Sequence, residues 1–216
     1  MNRPRIIINC AMSADGKIAL PSRKQLRISS EEDMERVHIL RNTCDAVLVG
    51  SGAVLTDDPK LTVKEAYVEN VKQPTRIVLD TYCNTPIDAL VVNDKAPTIL
   101  CYHENKEQKT YPNTVELLYC DKGEQHLKLH DVLEKIAQKG IQSILVEGGG
   151  TVIWDFLNQR FVDDLYVYVG PMIVGGKHTP TMADGLGIQK EGEAIPLSIK
   201  KVEALGNGIL IHYQIR

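Results

Sequence analysis

The chain has 216 residues, 43% of them apolar and 25% charged, with a formal net charge of −3. That length can bury a sizeable core in one domain, and the mild acidity argues against nucleic acid or an anionic membrane surface as a partner. The only apolar run near the start, in MNRPRIIINC, is too short for a signal-peptide core or a membrane span, so a cytoplasmic protein is expected.

In chain order, RIIINCAMS (5–13) reads as a buried strand. SSEEDMERVHILR (29–41) reads as a helix, with Ser29 and Glu32 at capping-box spacing and Met34, Val37 and Leu40 on one face. DAVLVG (45–50) and TRIVLD (75–80) are further buried strands, and TILCY (98–102) and VELLY (115–119) are short ones. HDVLEKIAQKG (130–140) is a helix stopped by Gly140. A strand at IQSILVE (141–147), a helix at TVIWDFLNQR (151–160) and a strand at DDLYVYVG (163–170) follow. The tail from 199 to 216 alternates about Gly206-Asn207-Gly208, the pattern of a β-hairpin. Stretches 64–74, 103–113 and 175–196 read as mobile or insertion-like.

Continuous apolar strands are covered on both faces, which implies an α/β fold. The expectation is one domain over 1–216, with a mixed, mostly parallel sheet of about nine strands flanked by at least three helices. Five cysteines (10, 44, 83, 101 and 120) form no C-x-x-C, and Cys10, Cys44 and Cys101 lie in or beside apolar runs. They read as buried reduced thiols; the spacing assigns Cys83 and Cys120 no role. The six histidines have no supporting motif and read as structural or surface.

Two glycine clusters follow buried strands. In VEGGGTVIWDFL (146–157), Glu147, Gly148, Gly149 and Gly150 stand between a strand and a helix that Thr151 could cap. Ligands of parallel sheets bind beyond the carboxyl ends of the strands, and a glycine turn there lets phosphates reach a helix N-terminus. A tight turn that merely tolerates glycine is the competing reading. The motif is not G-x-G-x-x-G, so a Rossmann dehydrogenase fits poorly. In LRNTCDAVLVGSGAVLTDDPKLTVK (40–64), Gly50, Ser51 and Gly52 again open the backbone as a strand runs into a loop. Asp57-Asp58-Pro59 reads as a turn or helix start. No nearby histidine or third carboxylate supports a metal there, and none is expected. Arg41 and Lys64 bracket the stretch and could meet a phosphate.

AMSADGKIA (11–19), the 40–64 stretch, QPTRIVLD (73–80), ILVEGGGTVIWDFL (144–157) and VDDLYVYVGPMIVGG (162–176) occur in that order. Together they resemble the riboflavin-biosynthesis pyrimidine reductases, over nearly the whole chain. The resemblance implies a three-layer dihydrofolate-reductase-like fold and NADPH, or NADH, reducing a phosphoribosylamino-pyrimidine. It implies cofactor contacts at Ala11, Ala53, Asp57, Asp80, Thr81, Gly148, Gly149, Gly150, Thr151 and Val152, within a match running on to Asp155. Ala53 stands where relatives carry threonine, which removes that side-chain hydrogen bond. Substrate contacts are implied at Arg41, Leu61, Lys64 and Glu147. Lys64 is commonly arginine, so a bidentate phosphate grip becomes a single ammonium contact. No general acid is evident; Glu147 or an ordered water are the candidates.

The deaminase signatures H-x-E and P-C-x-x-C do not occur. The chain thus resembles the stand-alone archaeal and fungal reductases, and that resemblance implies the 2,5-diamino-pyrimidinone phosphate as substrate, with the deaminated aminouracil as the alternative. A non-catalytic nucleotide-binding module of the same fold is a third reading. The apolar YVYVGPMIVGG (166–176) suggests a homodimer.

Overall fold

The computed structural model describes residues 3–215. Its strands are β1 (Arg5–Ser13), β2 (Ala46–Gly50), β3 (Thr75–Leu79), β4 (Thr98–Tyr102), β5 (Val115–Tyr119), β6 (Ser143–Gly148), β7 (Asp164–Gly170), β8 (Leu197–Leu205) and β9 (Gly208–Ile215). The α-helices are α1 (Glu31–Thr43), α2 (Ser51–Asp57), α3 (Leu129–Gln138) and α4 (Gly150–Asn158). The strands form one sheet in the order β5-β4-β3-β2-β6-β1-β7-β9-β8. β2, β3, β4 and β5 pair in parallel, as do β1 and β7; β9 runs antiparallel to β7 and to β8. The mixed, mostly parallel sheet and the terminal hairpin follow the sequence pattern.

Burial tracks position in that order. All residues of β2 are buried, as a central parallel strand covered on both faces requires. The edge strands β5 and β8 are largely exposed, and β8 carries lysines and a register irregularity between Ile199 and Lys201 that blunt its edge.

The chain divides into two compact units. The first holds His38–Leu145 with the N-terminal residues through Arg5. Its core includes Val47, Leu48, Ile77, Val78, Leu100, Leu133 and Ile136. Arg76 is wholly buried within it and donates to Thr98 Oγ1 (2.9 Å), Leu90 O (3.1 Å) and Asn93 Oδ1 (2.9 Å). Burial lowers its pKa to about 10. The guanidinium spans the 90–96 connection, so TRIVLD carries a polar clamp where only an apolar strand was expected.

The second unit holds Ile6–Val37 and Val146–Arg216. Helix α1 begins two residues later than expected, because Ser30 Oγ, not Ser29, accepts the Asp33 N–H at 3.2 Å. Its buried residues include Asp33, Val37 and His38, so the covered face is partly polar. Asp33 pairs with Arg36 at 2.7 Å, and Arg36 also donates to Asn9 Oδ1 at 2.6 Å. The pair satisfies one oxygen of a carboxylate that would otherwise be costly to bury, while Asp33 Oδ2 is buried without a hydrogen bond.

Candidate functional site

The three glycines after Glu147 are bare for three different reasons. Gly148 has φ +116°, a backbone that L side chains rarely adopt. At Gly150 a Cβ would lie 2.5 Å from Thr181 O and 3.1 Å from Asp184 Cγ, so the protein itself fills that space. Gly149 alone has an ordinary φ of −60° and open space where its side chain would stand. It is also the N-cap of α4 and gives the helix no side-chain cap. Thr151, expected as the cap, lies inside the helix and is exposed. An uncapped helix start beside an open glycine suits an anionic group. Glu147 is half-buried at the end of β6, and Val152 half-buried in the first turn of α4.

Ala11 is half-buried in β1, which neighbours β6 in the sheet. The turn after β1 explains the S-x-D-G-K pattern. Ser13 Oγ donates to Asp15 Oδ1 at 2.6 Å and accepts the Lys17 N–H at 2.9 Å, while Gly16 takes φ +79°. Asp15 then accepts the N–H groups of Val174 (3.0 Å) and Gly175 (2.7 Å). These bonds, the Ser13 hydroxyl first, lower its pKa to about 2. Further along, Ile18 N–H donates to Pro180 O, Lys17 bridges to Thr181, and Asp184 N–H donates to Gly150 O at 3.1 Å. Residues 174–184, nearly all within the 175–196 stretch expected to be mobile or insertion-like, thus fasten the first turn to the start of α4.

In the first unit the predicted loop after β2 is helical: α2 starts at Ser51 directly from Gly50. Ala53 sits half-buried in it and the exposed Asp57 ends it. Asp58 is its left-handed C-cap (φ 42°), and its carboxylate accepts the Leu90 N–H at 2.7 Å. Residues 61–64 follow in turn. Leu61, with φ 50°, is 2% exposed, which leaves little of it for a ligand to touch. Arg41 Nη1 donates to Thr62 O at 3.0 Å. Gln73 closes two bonds with the backbone of Val63, at 2.8 and 2.9 Å. The N–H of the exposed Lys64 donates to His38 Nδ1 at 3.3 Å. At the end of β3, Asp80 is fully buried, and its carboxylate accepts from Asn84 N, Thr85 N and Thr85 Oγ1 at 2.6–2.9 Å. Those bonds shape the turn that presents the half-buried Thr81.

Residues 4–211 match the RibD C-terminal domain. The chain belongs to that family. It is 39% identical to the 2,5-diamino-6-ribosylamino-4(3H)-pyrimidinone 5′-phosphate reductase of Archaeoglobus fulgidus, across 97% of each chain. Its identity to the like-named reductase of Methanothermobacter thermautotrophicus is 37%, across 99% of each. Among solved structures, the deaminase/reductase of Thermotoga maritima superposes with a TM-score of 0.82 at 26% identity, covering 99% of this chain and 57% of that one.

The sequence motifs pointed to candidate contacts but passed over residues that brace the surrounding segments: Asp15, His38, Asp58, Gln73, Thr181 and Asp184. Asp15 stood inside a recognised motif, and Asp58 beside a matched residue. The others are distant in sequence from what they support, and spacing carries no signal for them.

Proposed function

We propose that this RibD-family chain reduces 2,5-diamino-6-(5-phosphoribosylamino)pyrimidin-4(3H)-one to its ribitylamino product, with NADPH as reductant. The observation that carries this reading is identity near 40% to archaeal reductases of that name over almost the full length of both chains. The open, uncapped start of α4 supports it by fitting a dinucleotide phosphate.

The bound nicotinamide would supply hydride to C1′ of the opened ribosylamine, and a proton would complete the amine. The chain's own work is positioning. Ala11 lines the nicotinamide end with backbone, while Gly149, with Gly148, Gly150, Thr151 and Val152 around it, receives the phosphates. Ala53, Asp57 and the Asp80–Thr81 turn supply further cofactor contacts. Arg41 and Lys64 meet the substrate phosphate beside Leu61, and Glu147 accepts hydrogen bonds from the pyrimidine or ribose. Glu147 is also the candidate proton donor.

We place the protein in the cytoplasm as a homodimer; no helix among the described residues is long and apolar enough to cross a membrane. Val167 and Tyr168 of the suspected apolar segment lie inside the sheet, 2% and 0% exposed. Ile173 of the same segment is 73% exposed, and Ile199, Val202 and Ile209 are exposed as well, their register putting them on one face of the β8–β9 hairpin.

Loss of reduced-nicotinamide absorbance on adding the diamino substrate, with the deaminated analogue in parallel and both NADPH and NADH tried, tests the reading. Turnover of the diamino compound is expected to be faster, and NADPH to be the better reductant. Turnover of the deaminated compound alone would reassign the substrate, and no turnover of either would leave a binding module.

A further inference from the structure

Lys64 is the sole cation that the resemblance puts at the end of the TDDPKLTVK motif, and it lacks the planar fork of an arginine. A flexible ammonium binds a phosphate well only if something else restricts it. Two aromatic rings do so here. His38, 1% exposed, accepts the Lys64 N–H through Nδ1, fixing the backbone from which the side chain leaves. Tyr67 stacks on the His38 ring with centroids 4.8 Å apart and planes 11° apart. The Lys64 Nζ stands 5.8 Å from the Tyr67 ring centroid, within cation–π range. Tyr67 N–H donates to Lys64 O at 3.1 Å, so the turn that brings the ring under the ammonium is itself hydrogen-bonded.

We propose that His38 and Tyr67 form a stacked bracket that pre-positions the Lys64 ammonium for the substrate's 5′-phosphate, making both positioning residues for phosphate recognition. This rests on the reading of Lys64 as a phosphate contact given above. It is specific to a lysine: the ring face restrains a point charge that cannot fork onto a phosphate, and the buried imidazole keeps the ring in place.

The test is steady-state kinetics on two substrates, the phosphorylated ribosylamino-pyrimidinone and its dephosphorylated nucleoside, read as the ratio of their KM values. Lys64→Ala, Tyr67→Leu, His38→Leu and His38→Asn are compared with the parent enzyme. Tyr67→Leu should raise KM for the phosphorylated substrate about three- to tenfold more than for the nucleoside, the scale of a lost cation–π contact. His38→Leu should act in the same direction. His38→Asn, which keeps an acceptor near the Nδ1 position, should restore part of the ratio. If Lys64→Ala shifts the ratio while Tyr67→Leu and His38→Leu do not, the bracket is wrong and the phosphate contact stands. If Lys64→Ala itself leaves the ratio unchanged, both fall. An equal rise in KM for both substrates in the Tyr67 and His38 variants would make the rings merely structural and overturn the proposal.

Discussion

The carbonyl oxygen of Thr181 occupies the space that a side chain on Gly150 would need, 2.5 Å from where its Cβ would stand. One residue earlier, Gly149 faces open space. Adjacent glycines in one motif therefore answer to different demands, and substitution separates them. Gly150→Ala should destabilise the fold by about 1–3 kcal/mol, because a backbone atom must move to admit the methyl group. Gly149→Val should leave thermal stability nearly unchanged and weaken cofactor binding. Thermal unfolding beside fluorescence titration of NADPH reads both. A stable Gly150→Ala enzyme would show that the 181–184 segment yields easily.

Glu147 is tested by the swap that keeps its shape. Glu147→Gln puts a donor where the substrate needs an acceptor, so kcat/KM should fall by roughly 10- to 1,000-fold, the range of a buried polar mismatch. NADPH affinity should change far less, since the cofactor is read by the following backbone. Unchanged turnover would make the carboxylate structural.

Asp15 predicts a pH dependence of stability. Its folded pKa is depressed, from an ordinary 3.8 to about 2, by the Ser13 hydroxyl and the Val174 N–H ahead of other bonds. A depressed carboxylate stabilises the fold above its unfolded pKa and loses that contribution as pH falls through the folded value. In Asp15→Asn an amide N–H₂ would face the Gly175 N–H, so the variant should be less stable near neutrality. The gap to the parent protein should close as pH drops from near 4 towards 2, followed by the urea midpoint at each pH. A gap constant across that window would mean that ionisation does not matter.

All five cysteines are free and buried. Burial, with Asp33 nearby, pushes the Cys10 thiol up to about 12; burial and Asp80 push Cys83 up to about 11. The thiolate is the reactive form, and although the hydrogen bond with Cys101 draws the Cys120 thiol down, Cys120 is 0% exposed, so the folded protein should show almost no reaction with an aromatic disulfide reagent at pH 8. Five equivalents should appear once it is denatured. Rapid labelling of the native protein would mean that one of these sites opens readily.

The hairpin face gives the dimer its own test. Val202→Lys or Ile199→Lys should shift the mass seen by light scattering from dimer to monomer with little change in thermal midpoint, because both side chains are more than half exposed in the single chain. A monomeric parent protein would remove the homodimer from the functional reading.

What was legible from sequence follows local pattern. The strands, the β-α alternation and the Gly206-Asn207 hairpin come from hydrophobic periodicity and turn chemistry, which act over a few residues. The ordered motifs went further and carried the family and the positions of Glu147, Gly149 and Lys64. Helix α2 was missed because glycine and serine after a strand also describe a loop, and at seven residues it shows too little periodicity to decide. The division of labour among the three glycines was out of reach, since it depends on Thr181 and Asp184 arriving from about thirty residues away. His38 was invisible for the same reason: a lone histidine within an amphipathic helix acquires meaning only when Lys64 and Tyr67 fold against it. Local chemistry determines where elements begin and which atoms a motif offers. Which of those atoms are already spent on the protein itself is settled by contacts between segments, and only the tertiary structure brings those segments together.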